Sequence, residues 1–480
     1  MKIMSLSKSD GLKSRGRLSR WAGVAVLWVA CELAYGSREA LSDSAPDGLL
    51  DLTTAQVVVP EDLTGPEKKA VELLVTEVEK RTQVRWQVRP LKRDAGKSAI
   101  LVGRGSALEK LTSATPTGSA VEILPAHPES YEVRTLPNGS AVVAGRDERG
   151  VLFGVGRLLR ELRMERGRVG LPRNVHVSAT PRFPLRGHQL GYRPKTNSYD
   201  AWDLPQWEQY IRDLAVFGTN AIELLPPRTD DDLDSPHFPR PPLEMMVGMA
   251  KIVDQYGLDV WIWNPALDAD YTDPRVVKQS LEEWSRIFQA LPRIDAVFVP
   301  GGDPGHTRPK VLMELLEKET ELLHRYHPKA QMWVSAQGFD KTWLDEFYAL
   351  VRQEPAWLSG IVYGPHTRDD LHTTRAAIPS RYPIRHYPDI THTRECQFPV
   401  PNWDLAFAST EGREPINPRP TEYATIFRAM QPETIGFITY SEGCNDDVNK
   451  IVWTALGWDP DMDVVEILRQ YGRYFVGDRG

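Results

Sequence analysis

The chain has 480 residues, 41% of them hydrophobic and 26% charged, a normal soluble composition that is too long for one ordinary domain. Its formal charge of -7 is mild, and no Lys/Arg run interleaved with aromatics is present to follow a phosphate backbone, which argues against a nucleic-acid partner. Three cysteines exclude a disulfide framework.

Lys2, Lys8, Lys13, Arg15, Arg17 and Arg20 precede the apolar run WAGVAVLWVA, and Ala34-Tyr35-Gly36 offers small residues where a signal peptidase reads. This pattern predicts a secretory leader over residues 1–36 and an exported protein, periplasmic or extracellular. Two other readings stay open. One is an uncleaved anchor, although the run is far shorter than the ~20 residues needed to span a bilayer. The other is a lipoprotein attached through Cys31, in Leu27-Trp28-Val29-Ala30-Cys31. Beyond the leader only Cys396 and Cys444 remain, bridged or as two separate thiols.

Residues 48–180 are expected to form an α+β accessory domain. AQVVVP reads as a strand, GPEKKAVELLVTEVEKRT as an amphipathic helix and SAILVGRG as a strand. SYEVRTL and SAVVAG form a hairpin around Pro137-Asn138-Gly139, and ERGVLFGVGRLLRELR is a second helix. The expectation is a sheet with helices on one face. Gly145 to Gly150 reads as a turn into a capped helix, which needs no ligand to explain it.

Residues 181–480 repeat one pattern eight times, an apolar run followed by a turn and an amphipathic helix, which predicts a (β/α)8 barrel. The runs are PLRGHQL, TNAIELL, LDVWIWN, DAVFVPGGD, AQMWVSAQ, LSGIVYG, PIRHYPD and GFITYSEG. Chemistry in such barrels sits at the C-terminal ends of the strands, which here carry His188, Glu223, Asn264, Asp303, Gln337, Tyr363, Asp389 and Glu442. The last segment, DMDVVEILRQYGRYFVGDRG, reads as an amphipathic helix; if a further helical domain is expected to cover it and is missing, its Leu468, Tyr471, Tyr474 and Phe475 face is left exposed, and otherwise the protein dispenses with such a domain.

Carboxylates, amides and aromatics, without a phosphate loop or metal cluster, suit sugar cleavage. The stretch AVVAGRDERGVLFGVGRLLREL, leading into a barrel whose first strand is PLRG, resembles the domain ahead of the barrel in several exo-glycosidases. These are the family 67 α-glucuronidases, the family 20 β-hexosaminidases and the family 84 enzymes acting on N-acetylglucosamine. The resemblance covers the chain after the leader and implies that the front domain is scaffold. It also implies that the general acid lies after the fourth strand. There the family 67 stretch Glu-Gly-x-Pro-Gly corresponds to Gly301-Gly302-Asp303-Pro304-Gly305, so Gly301 stands at the Glu position. The adjacent acidic pair of families 20 and 84 is also missing. The last barrel helix, Asn449 through Pro460, resembles that of family 67 enzymes.

Glycoside hydrolysis needs two carboxyl groups flanking the sugar. Asp303, Glu442 and Asp389 are the catalytic candidates, against alternatives in which Asp303 caps the next helix and Asp389 is a loop residue. Asp446 and Asp447 read as first-turn acids of the last barrel helix. Glu223 is either a substrate contact or half of an ion pair with Arg186. Trp263, Tyr363, Tyr387 and Trp403 are candidate sugar-stacking planes, with His188, Asn264 and Gln337 as polar contacts. Arg193, with Lys195 and Arg385, would meet a substrate carboxylate. The acidic loop Asp230, Asp231, Asp232 and Asp234 lacks calcium-loop spacing, and neither a metal nor any other cofactor is expected. The function expected is an exo-acting glycosidase that removes a terminal sugar, uronic in the family 67 reading. An N-acetylhexosaminidase and a carbohydrate-binding barrel without activity remain as alternatives. Acids on opposite sides of the mouth favour an inverting enzyme, which needs roughly 6.5 to 9.5 Å between them.

Overall fold

The computed structural model describes residues 48–90, 98–112, 125–192, 199–230, 235–391, 418–442 and 446–477. The leader with Cys31, and Arg193, Lys195, Asp231, Asp232, Asp234, Cys396, Trp403 and Cys444, lie outside the described residues. No helix among the described residues is long and apolar enough to cross a membrane.

The front layer runs through Leu49–Asp51 (β1), Gln56–Val59 (β2), Gly65–Thr82 (α1), Gln87–Pro90 (β3), Ala99–Arg104 (β4) and Gly105–Thr112 (α2). It continues with Tyr131–Thr135 (β5), Ala141–Gly145 (β6), Glu148–Glu161 (α3), Arg163–Glu165 (β7), Arg168–Pro172 (β8) and His176–Ala179 (β9). A six-stranded mixed sheet has the order β3-β2-β4-β6-β5-β9, and a three-stranded sheet the order β1-β8-β7. Thr64 and Glu67 form a reciprocal capping box on α1, and Asp147 caps α3 through the Gly150 N–H, as the acid before a helix should. Helices lie on both faces of the larger sheet, where the sequence suggested one. The buried side chains of α1 and α3 join the main core, whereas Leu108 of α2 packs with Val58, Leu101 and Val142 in a separate cluster.

The barrel strands are Leu185–Leu190 (β10), Ala221–Leu224 (β11), Asp259–Trp263 (β12), Ala296–Val299 (β13), Gln331–Ser335 (β14), Leu358–Tyr363 (β15), Ile384–His386 (β16) and Gly436–Thr439 (β17). Each pairs in parallel with the next and β17 closes onto β10, so the barrel is shut and has no edge. The intervening helices are Leu204–Phe217 (α4), Pro242–Gln255 (α5), Pro274–Ala290 (α6), Pro309–Tyr326 (α7), Lys341–Val351 (α8), Leu371–Ala377 (α9) and Pro420–Met430 (α10). Asp447–Trp458 (α11) and Val464–Phe475 (α12) follow the last strand.

Alternation along each strand divides two cores. Outward side chains pack on the helices, while Trp261, Phe298, Trp333, Tyr387 and Ile438 fill the lumen. The lumen is tight enough to dictate a glycine: a Cβ at Gly360 would lie 2.2 Å from the Trp333 ring. Arg186 points outward and ties the two layers together. It donates Nε to the Gly218 carbonyl (3.0 Å), pairs through Nη2 with Glu129 of the front layer, and lies 4.7 Å over the Trp458 ring. The last helix also docks on the front layer. Tyr474 is buried with its hydroxyl on Glu77 of α1 (3.2 Å) and on Asp213 of barrel helix α4 (2.8 Å), and Phe475 stacks on Phe217 of α4 at 5.9 Å, so the face expected to be exposed is largely covered.

Candidate active site

The side chains expected at the barrel mouth fall into three groups. His188, Asn264 and Tyr363 occupy the layer between strands and helices. His188 bonds the Thr439 and Thr454 hydroxyls at 2.9 and 2.8 Å, and its complete burial pulls its pKa well down, so the ring stays neutral. Asn264 donates Nδ2 to Glu319 of α7. Tyr363 packs on the outer core beside His386, at 6.1 Å between rings. None of the three points into the lumen: the strand ends carry them, but the pleat turns them away.

Glu223 faces the lumen, and its partner is Arg385 of β16. Arg186, the expected partner, belongs to Glu129 instead. Both members of the lumen pair are fully buried. Gln189 donates Nε2 to Glu223 (3.0 Å) and to the Tyr387 hydroxyl (2.9 Å), and the Arg385 guanidinium lies 4.9 to 5.2 Å from the rings of Trp261, Phe298 and Tyr387. This polar plug floors the site. Arg385 is therefore neither the exposed solubilising charge nor the ready substrate cation that the sequence allowed. Trp263 and Tyr387 join the same lumen cluster and are buried.

The third group gathers at the mouth. Asp303 sits in the loop after β13 with its side chain 49% exposed, 3.6 Å from His366 Nε2 in the loop after β15. It does not cap α7, whose N-cap is Arg308 without a side-chain bond. The loops are laced by backbone: Gly302 N–H donates to the Gln337 carbonyl (2.7 Å) and Gly338 N–H to the His366 carbonyl (3.1 Å). Gln337 is buried, its Oε1 has no hydrogen-bond partner, and it lies 3.5 Å from where a Cβ on Gly364 would be. A Cβ on Gly301 would come within 2.4 Å of the Ser335 carbonyl oxygen, so no acid fits at that position, and the carboxylate of this strand end is that of Asp303.

Across the mouth, β16 and β17 bring three acids into one network. Asp389 bridges to Tyr440 and accepts the Thr391 N–H (2.9 Å). Glu442 accepts from the Tyr440 hydroxyl, and its own N–H donates to Thr391 Oγ1 (3.1 Å). Asp446 accepts from Thr391 Oγ1 (2.5 Å) and Ser441 Oγ (3.0 Å). Burial pushes Asp446 above the usual carboxylate range and the charge of Asp389 adds to this, while Lys450 opposes it. Asp446 is thus a network member, although the sequence suggested only a first-turn acid; it makes no capping bond to α11. Asp447 likewise accepts from Tyr471, at 2.7 Å. Among the described residues, no group of three or more His, Cys, Asp and Glu could hold a metal ion.

Behind the wall, Glu319 is wholly buried with Asn264 beside it, and burial pushes it up to about 8. Because its folded pKa lies above the unfolded value, its contribution to stability is complete below about pH 4.5 and is lost as pH rises toward 8. Glu319→Gln keeps the oxygen that accepts from Asn264 and removes this titration. Relative to wild type the variant should gain about 3 kcal/mol between pH 4 and pH 7, read from denaturant melts at the two pH values. Parallel melts would show that Glu319 is not held protonated.

No family model and no curated protein matches this sequence. Solved structures do share the fold. BtGH115A, described as a family GH115 4-O-methyl-α-glucuronidase with specificity for decorated arabinogalactans, superposes with a TM-score of 0.61 at 14% identity over 90% of this chain. The match spans 60% of that enzyme's length. CpGH84B gives 0.56 at 14% identity over 91% of this chain and 73% of its own. The family GH20 chitobiase of Flavobacterium johnsoniae gives 0.57 at 10% identity, over 90% and 70%. The fold is thus one that these glycoside hydrolase structures share. Families 84 and 20 are two of the three whose resemblance is expected from the sequence, whereas family 67, the first of them, is not among these structures.

Proposed function

We propose that the protein is an exported, exo-acting glycoside hydrolase that removes a terminal uronic sugar from a glycan by paired-carboxylate catalysis. The carrying observation is the opposition of two carboxylate groups across one barrel mouth, Asp303 beyond β13 and the Asp389, Glu442 and Asp446 network beyond β16 and β17. In this reading Asp303 protonates the leaving oxygen and an acid of the network activates water, with inversion at the anomeric carbon. Gln337, whose buried oxygen lacks a partner, accepts a sugar hydroxyl. Support for a uronic substrate comes from the likeness to the family GH115 glucuronidase.

The test is hydrolysis of aryl α- and β-glycosides of glucuronic acid, N-acetylglucosamine and neutral hexoses, with the product anomer followed by proton NMR. Release from a glucuronide with inverted configuration is expected. Cleavage of the hexosaminide alone would replace this substrate with that of families 20 and 84. Binding of sugars without cleavage would make the barrel a lectin-like receptor.

A further inference from the structure

At the end of the barrel opposite the mouth, a cavity of about 870 Å³ opens between the front layer and the barrel. Its walls come from α3, β9, the end of α11 and residues 459–462 after it. Arg182 and Phe183 donate their backbone N–H groups to the Trp458 and Gly457 carbonyls (3.1 Å each) just before β10 begins, which fixes this as the N-terminal end of the strands. The volume lies in the range of small-molecule sites.

Arg160 of α3 lines this cavity and is only 6% exposed. Its guanidinium lies 5.2 Å over the Phe217 ring, Nη1 donates to Gln470 Oε1 at 2.7 Å, and Nε reaches the Gly156 carbonyl at 3.4 Å. Three comparably buried arginines each meet a carboxylate: Arg186 meets Glu129, Arg212 meets Glu77 and Arg385 meets Glu223. Arg160 has an amide where they have an acid. Burial pulls this arginine down to about 10, although the Tyr131 hydroxyl and the charge of Glu161 act the other way. The two acids of the wall, Asp459 and Asp461, are both exposed to solvent, which screens their charge. Arg157 is paired with Glu161 at 2.7 Å, Asp459 accepts the Asp461 N–H at 3.0 Å, and Arg182 and His127 add positive or neutral groups. The hydroxyls of Ser178 and Thr180 complete a polar rim.

We propose that this cavity is a second binding site, for a sugar acid whose carboxylate pairs with Arg160 and Arg182 and whose hydroxyls meet the rim. Guanidinium forks match a planar carboxylate, and a cavity of this size admits one or two sugar rings.

Calorimetric titration of the full chain with sodium glucuronate, sodium galacturonate, glucose and sodium sulfate tests it. Binding of a uronate but not glucose is expected, with at least a tenfold loss in Arg160→Gln and a smaller loss in Arg182→Gln. The latter variant changes only an exposed side chain and serves if Arg160→Gln does not fold. Glu442→Gln should leave this binding intact, which separates it from any event at the mouth. Undiminished uronate binding in both arginine variants would overturn the proposal. So would equal binding of glucose, or sulfate binding as tight as a uronate, which would mark an adventitious ion only.

Discussion

Asp303→Asn should cut turnover by about 10² to 10⁴ on glycosides with poor leaving groups and far less on aryl glycosides whose leaving group needs no proton. The amide keeps the shape of the carboxyl and loses only the transferable proton. Because Asp303 is half-exposed and caps no helix, the melting temperature should hardly move. Glu442→Gln should behave differently. In the proposed mechanism Glu442 belongs to the network that activates water, so its loss should fall on every substrate whatever the leaving group, by a similar factor. The pair of profiles, taken as log kcat against leaving-group acidity, distinguishes donor from activator. A flat, unreduced profile for Asp303→Asn would remove it from the chemistry and leave the mouth to the Asp389, Glu442 and Asp446 network.

The eight strand runs were legible because parallel strands buried on both faces read as near-continuous apolar stretches between amphipathic helices. The same property hides which way their polar residues point. In a half-exposed strand alternating polarity assigns the faces; here polar residues are few and stand side by side, so no alternation assigns them. His188 and Gln189 are adjacent in β10, and the sequence offers no signal to choose between them. The register decides: Gln189 pairs with Glu223, so the two share the lumen and His188 goes outward with its partner Ile222. The same register logic sends Asn264 and Tyr363 outward. It also brings Arg385 in, because Arg385 in β16 and Tyr387 just after it alternate with His386.

Asp446 was missed for a different reason. An acid just before a helix reads as favoured by the macrodipole, and only the folded chain shows Thr391 and Ser441 claiming its carboxylate. The front-layer edge strands β1, β3, β7 and β9 are only three or four residues long, as β8 between β1 and β7 is only five, so their periodicity is too brief to register. Gly301 was legible as a departure from the family 67 pattern. Its meaning was not, because the clash with the Ser335 carbonyl arises between two strands far apart in sequence.

Arg385→Met should destabilise the fold by about 3 to 5 kcal/mol, since it leaves Glu223 charged and buried with only Gln189 for company. Glu223→Gln should cost a similar amount by stranding Arg385 among three rings. The double variant Glu223→Leu/Arg385→Met removes both charges from a lumen already lined by Trp261, Phe298 and Trp333, and should recover most of the loss. A coupling of that sign in urea melts would identify the pair as a structural floor. It would also exclude Glu223 as a substrate contact, because a side chain that holds the barrel's own cation has no free oxygen to offer a sugar. Additive, small effects on stability together with a raised KM in Glu223→Gln would give the opposite answer: the plug opens to the mouth, and the active site extends down into the lumen as far as Arg385.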